Sequence, residues 1–157
     1  RRHDFCVKIL ESLHRSGVEA VLKMTGATGM IASGNPELEI RCLGWVDELQ
    51  KSKLISESDF LLSPSEYEGS SMSVIESMVS GLPCIVSPAS RETVVNEKFM
   101  VDSEDPDEWA KRILYFHDGA NYNTAVTETI KISQKFKPSN CRKRIGEVYY
   151  ELLPKQQ

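Results

Sequence analysis

Short apolar runs alternate with helical stretches along this chain, and that order constrains the fold more than any other feature. The runs are residues 18–25 (VEAVLKMT), 40–43, 60–62 and 84–87. They are short, rich in Val, Ile and Leu, and all four are followed closely by Gly or Pro, so they read as buried strands. The span before them, 4–15, and two spans between them, 47–56 and 73–80, read as helices, the first ending at Ser16-Gly17 and the second capped by Asp47. Met100-Val101 reads as a short edge strand. Asp105-Pro106-Asp107 opens a helix through His117, with Pro at an early helical position. Two further helices are expected over 122–135 and 139–153. Alternating strands and helices require a parallel sheet with helices on both faces, because parallel neighbours need crossover connections. In such sheets ligands bind beyond the carboxyl ends of the strands. The turns at Gly26, Gly44 and Glu68-Gly69 all follow strands and belong on that rim, as do residues 90–93.

A chain of 157 residues suits one compact α/β domain. Its net charge of −4 argues against nucleic acid as the main partner. Its apolar runs are too short to span a bilayer. The chain shows no signal-peptide pattern and does not begin with Met, so a fragment of a cytoplasmic protein is expected. Cys6, Cys42, Cys84 and Cys141 are scattered, as are His3, His14 and His117. Reduced thiols and no bound metal are expected.

Residues 64–87 carry the chemistry: PSEYEGSSMSVIESMVSGLPCIVS. Glu68 and Glu76 flank a small turn, Gly69-Ser70-Ser71, that leads into an apolar helix and then Gly81-Leu82-Pro83. A helix start of this composition offers free backbone N–H groups and the positive end of the helix dipole, which together favour phosphate. Glu68, before the turn, suits a neutral polar ligand such as a sugar. Glu76, inside the first turns, can accept from hydroxyls at the same mouth. A phosphate cradle between two hydroxyl-accepting carboxylates suits a nucleotide-sugar. A purely structural alternative exists: residues 73–76 form a capping box in which Glu76 returns to a backbone N–H.

Pro64-Ser65, the pair Glu68 and Glu76, and Ser80-Gly81-Leu82-Pro83 resemble the motif of retaining glycosyltransferases of the GT-B fold, in the group 1 family. Ser70-Ser71 departs from it, standing where many members have phenylalanine-glycine. The likeness extends more weakly to Gly26, to Leu43-Gly44-Trp45-Val46 and to Asp105-Pro106. It implies a Rossmann-like domain, the carboxy-terminal half of a GT-B enzyme, with the acceptor domain and a first strand missing. It also implies transfer from a nucleoside-diphosphate sugar to an acceptor hydroxyl with retention, without a metal or other cofactor.

On that resemblance Glu68 binds the donor sugar near the reacting carbon, as nucleophile or orienting group. Gly69, Ser70, Ser71, Met72 and Ser73 form the phosphate turn, with backbone N–H groups from Ser71, Met72 and Ser73. Glu76 accepts from the ribose, and Gly26, Trp45 and Val46 lie toward the base. For Trp45 a plain core position is the favoured reading. Arg1 or Arg2 stands where the family has a phosphate-binding lysine, with solvated terminal charges as the alternative. The final helix is expected to expose an apolar face. Polysaccharide or glycoconjugate synthesis, with peripheral membrane association of the parent, is the expected setting. Two alternatives remain: a non-catalytic nucleotide-sugar-binding module, and a GT-B epimerase or phosphorylase.

Overall fold

The computed structural model describes residues 2–26, 29 and 33–152. Helix α1 (His3–Arg15) leads to strand β1 (Val21–Thr25), then β2 (Glu39–Gly44), α2 (Glu48–Ser56), β3 (Leu61–Ser63), α3 (Met72–Val79) and β4 (Cys84–Val86). A short helix α4 (Arg91–Val94) precedes α5 (Pro106–His117), α6 (Gly119–Ser133) and α7 (Pro138–Leu152). The chain is a mixed α/β protein in which every strand pairing is parallel, as its alternating pattern requires.

The strands form two ladders, β1 with β2 and β3 with β4. Met100 adds only a single parallel bridge to Val86, in place of the expected edge strand. Strand β4 is buried at all three residues. Successive side chains point to opposite faces, so a strand buried throughout is covered on both. Helices α3 and α5 both pack against it.

The main core joins Phe5, Ile9 and Leu13 of α1 to Val74 and Met78 of α3, Ile85 and Val86 of β4, and Trp109, Ile113 and Phe116 of α5. Phe5 meets Trp109 edge-on at 5.8 Å, and the indole N–H of Trp109 donates to the Ser103 carbonyl. Val7 of α1 packs instead with Met24, Leu22, Ile40 and Cys42. One helix therefore serves both ladders. Each of these buried aliphatic side chains contributes about 1.5–3 kcal/mol through removal from water.

Local sequence explains the helix ends. Asp47 accepts from the Gln50 amide while the Gln50 side chain accepts from the Asp47 amide, a complete capping box. Asp105 accepts from the Asp107 amide. Gly17 and Gly81 adopt left-handed φ of 79° and 82°. Each closes its helix in a Schellman motif: Gly81 donates to Met78 and Leu82 to Ser77. Pro83 is fully buried, and its carbonyl accepts from the Leu61 amide, starting the β3–β4 ladder. Gly81-Leu82-Pro83 thus has a folding role: it stops α3 and feeds β4.

All four cysteines are free, with Cys6 and Cys84 buried, Cys42 half-buried and Cys141 exposed. Helix α7 leaves Ile145, Val148 and Tyr149 exposed, the apolar face expected of it. No described helix is long and apolar enough to cross a membrane.

Candidate functional site

Beyond β3 the chain turns through residues 64–71 before α3 begins. Ser87, just past β4, binds back to this segment: its amide donates to the Ser63 carbonyl at 3.0 Å, and its hydroxyl donates to the Ser65 carbonyl. These bonds hold the turn at the carboxyl ends of β3 and β4, where a parallel sheet places its ligands.

An open groove of about 460 Å³ lies there, lined by Glu66, Tyr67, Glu68, Gly69 and Ala89. Glu68 is half-buried in its wall, and its Oε1 accepts from the Ser65 hydroxyl at 3.0 Å. Tyr67 is 90% exposed, a ring with no packing partner to explain it among the core residues. Two carboxylates and a phenol suit a ligand rich in hydroxyls. They do not suit an anion.

The start of α3, two residues beyond the groove, has a different chemistry. Gly69 and Ser70 are exposed and lead to Ser71, the helix N-cap, which is buried. Ser71 makes no side-chain cap to the backbone; its hydroxyl lies 3.2 Å from that of Ser73. The first helical bond runs from the Ile75 amide to the Ser71 carbonyl. The amides of Met72, Ser73 and Val74 are therefore donors without an acceptor inside the helix. Met72 and Ser73 are themselves exposed.

Because α3 starts at Met72, Ser73 lies inside the helix, and the capping box that is the structural alternative over residues 73–76 does not form. Ser71 won the cap position and Glu76 is too far along to return to it. Glu76 instead reaches out of α3 to Lys51 of α2, with 2.9 Å between Oε2 and Nζ. Lys51 also holds Glu48 at 2.9 Å. Hydrogen bonds to Glu48 first and Glu76 second keep the Lys51 ammonium above the ordinary lysine range. No local pattern announces a lysine 25 positions before Glu76.

Gly26 and Gly44 come together at the ends of β1 and β2, where the Gly26 amide donates to the Gly44 carbonyl at 2.6 Å. Both have left-handed φ, 73° and 62°. The register slips by one residue between Met24 and Thr25, which leaves Leu43 without a partner in the ladder. This bulge and the left-handed Gly44 turn the chain outward. Trp45 consequently stands 91% exposed, which overturns the core position favoured for it. Val46 is half-buried. Val46 and Asp47 lead from β2 into α2, whose Lys51 is paired with Glu76 of α3.

Arg2 stands at the edge of the groove. Its guanidinium binds Glu104 in a two-pronged pair, with 2.8 Å from Nη1 to Oε1. It lies 3.7 Å from Glu66 and 4.3 Å over the Phe5 ring. It is therefore not a solvated terminal charge. Arg1 falls outside the described residues. Ala89 brings residues 88–90 to the groove, and beside it the Ser90 hydroxyl is buried without a hydrogen-bond partner among the described residues. Among the described residues no group of three His, Cys, Asp or Glu side chains converges as metal ligands would.

Sequence reasoning did not single out Ser65, Glu66, Tyr67 or Lys51 as site residues. A serine three positions before Glu68 was the one local signal available.

No curated protein matches this chain in sequence. A family model, described as glycosyl transferases group 1, matches residues 1–118. That is three quarters of the chain, and it takes in both ladders, the groove and the start of α3, so this chain belongs to the group 1 glycosyltransferase family.

Proposed function

We propose that the chain is the donor-binding domain of a retaining glycosyltransferase of GT-B architecture, the carboxy-terminal half of a two-domain enzyme. It holds a nucleoside-diphosphate sugar while the sugar passes to an acceptor hydroxyl, in polysaccharide or glycoconjugate synthesis on the cytoplasmic side. The observation that carries this reading is the separation of two chemistries at one sheet edge. Carboxylates and a phenol line the groove, and unpaired helix amides lie two residues further on.

In the reaction, the bond between the anomeric carbon and the diphosphate oxygen breaks, and its electron pair leaves with the diphosphate. The acceptor oxygen bonds to that carbon and gives up its proton to the departing diphosphate. The backbone amides of Ser71, at the cap, and of Met72 and Ser73, in the first turn of α3, meet the growing charge on the leaving group. Glu68 accepts from sugar hydroxyls beside the reacting carbon. Glu76 accepts from the ribose, and Trp45 offers its exposed ring to the base. These side chains need no bound metal to play the parts assigned to them.

The test is calorimetry of this chain with UDP, GDP, ADP and their glucose conjugates. Binding of one nucleoside diphosphate, weakened as salt rises, supports the reading. Absence of binding by all of them at millimolar concentration refutes it.

A further inference from the structure

Lys51 is the one group that joins the site's two halves by an ion pair among the described residues. It sits on α2, which follows β2 and the exposed Trp45, and it grips a carboxylate on α3. Its side chain is 29% exposed, and that of Glu76 is 32% exposed. The pair is thus partly shielded, at the mouth where α3 begins. Glu48, the other carboxylate on this ammonium, is 89% exposed and one turn back on the same helix. It orients Lys51 without entering the site.

The valences are informative. An ammonium has three donors, and a carboxylate has about four acceptor positions. Lys51 spends one donor on Glu48 and one on Glu76, which leaves one. Glu76 spends one position on Oε2 and keeps Oε1 for another donor. A carboxylate on a flexible stem loses rotamer freedom when it binds, and a partner that fixes it beforehand removes that cost.

We infer that Lys51 is a positioning residue for donor binding: it holds Glu76 across the α2–α3 seam with one oxygen free for the ligand's hydroxyls. The inference rests on the donor-site reading above and adds to it a residue outside the motif of residues 64–87. It also makes the β2–α2 unit, and not α3 alone, a determinant of nucleotide affinity. The coupling requires a cation at this position, since an apolar side chain of equal length cannot hold the carboxylate.

The experiment is calorimetry with UDP, GDP and ADP on the wild-type chain and on Lys51→Met, Lys51→Arg, Glu76→Gln and the double variant Lys51→Met with Glu76→Gln, with a melting temperature for each. Lys51→Met should weaken the preferred nucleotide about tenfold, near 1.4 kcal/mol, with little change in melting temperature. Lys51→Arg should retain most of the affinity. The double variant should bind no more weakly than the worse single one, because both act through one contact. Wild-type affinity in Lys51→Met beside a weakened Glu76→Gln overturns the inference and leaves the donor site standing. Additive losses overturn it as well. If the wild-type chain binds none of the three, the donor-site reading fails and takes the inference with it.

Discussion

The Ser65 hydroxyl donates to Glu68 Oε1 at 3.0 Å, so the carboxylate that lines the groove is oriented by a side chain three residues before it. The Ser65 carbonyl is itself held by the Ser87 hydroxyl. A chain of hydrogen bonds therefore runs from the end of β4 to Glu68. This gives the Pro64-Ser65 pair a physical use: the serine aims the glutamate.

From this relationship Glu68→Gln should weaken binding of a nucleotide-sugar by about 1–3 kcal/mol, the range for hydrogen bonds to charged groups. It should leave the matching nucleoside diphosphate unaffected. Ser65→Ala should act in the same direction with a smaller loss, about 0.5–1.5 kcal/mol. Paired titrations of each variant with the nucleotide and its sugar conjugate measure both. Equal losses for the two ligands would mean that Glu68 serves the nucleoside and not the sugar.

Strands and helices were legible because the apolar periods and stop residues agree: Asp47, Asp105, Gly17 and Gly81 all end or begin helices as their chemistry requires. What escaped depended on contacts between distant segments. Residues 71 and 73 are both serines able to cap α3, and the helix start at Met72 puts Ser71 in that position. Trp45 has the composition of a core residue, yet the bulge at Leu43 sends it outward. Lys51 and Glu76 meet through a contact between residues 25 positions apart, which no pattern over a few residues encodes. The carboxylates and the helix mouth were visible in sequence; the side chains that orient them were not.

Gly81 is needed for its backbone. Its φ of 82° is left-handed, and a Cβ there would lie 3.5 Å from Ile130 Cδ1, in ordinary contact. The cost of Gly81→Ala is thus conformational, about 1–2 kcal/mol, and should appear as a fall in melting temperature of a few degrees. Gly119→Ala is the control: nothing lies within 4 Å, and the residue begins α6. It should be neutral or stabilising by up to about 1 kcal/mol. Thermal melts of both separate the strained glycine from the merely flexible one. A Gly81→Ala protein melting with wild type would show that the αL position carries no such demand.

Acid should loosen the contact between α1 and the start of α5. The Ser12 hydroxyl at 2.6 Å, with Arg15 at 2.5 Å, holds the Asp107 carboxyl below its ordinary value of 3.8. A hydrogen bond from Arg2 likewise lowers Glu104 from 4.5. Folded values below unfolded ones mean that the unfolded chain binds protons more tightly. The stabilisation is therefore present in full above the ordinary carboxylate values and is lost as pH falls through the depressed ones. Urea midpoints should drop as pH goes from 6 toward 3, on the order of the linkage slope, and Asp107→Asn should flatten the curve. A variant whose midpoint falls in parallel with wild type would remove Asp107 from the effect.

The four thiols should react in an order set by burial. The thiolate is the reactive form, and it must be reached by reagent. Burial pushes the Cys6 thiol up to about 11 and raises Cys84 further still, by desolvation alone. Cys84 also donates its S–H to the Leu82 carbonyl at 3.3 Å, inside the β3–β4–α3 core. Cys141 is exposed on α7, and Cys42 is half-buried in β2. Near pH 8 a disulfide reagent should therefore label Cys141 first, Cys42 more slowly, and Cys6 and Cys84 only on denaturation. Counting labels by mass spectrometry over time, with Cys141→Ser to remove the fast phase, checks the order. Early labelling of Cys84 would mean that β4 opens without global unfolding. Because Ser87 and Ser65 anchor the groove to that strand, such opening would also release Glu68.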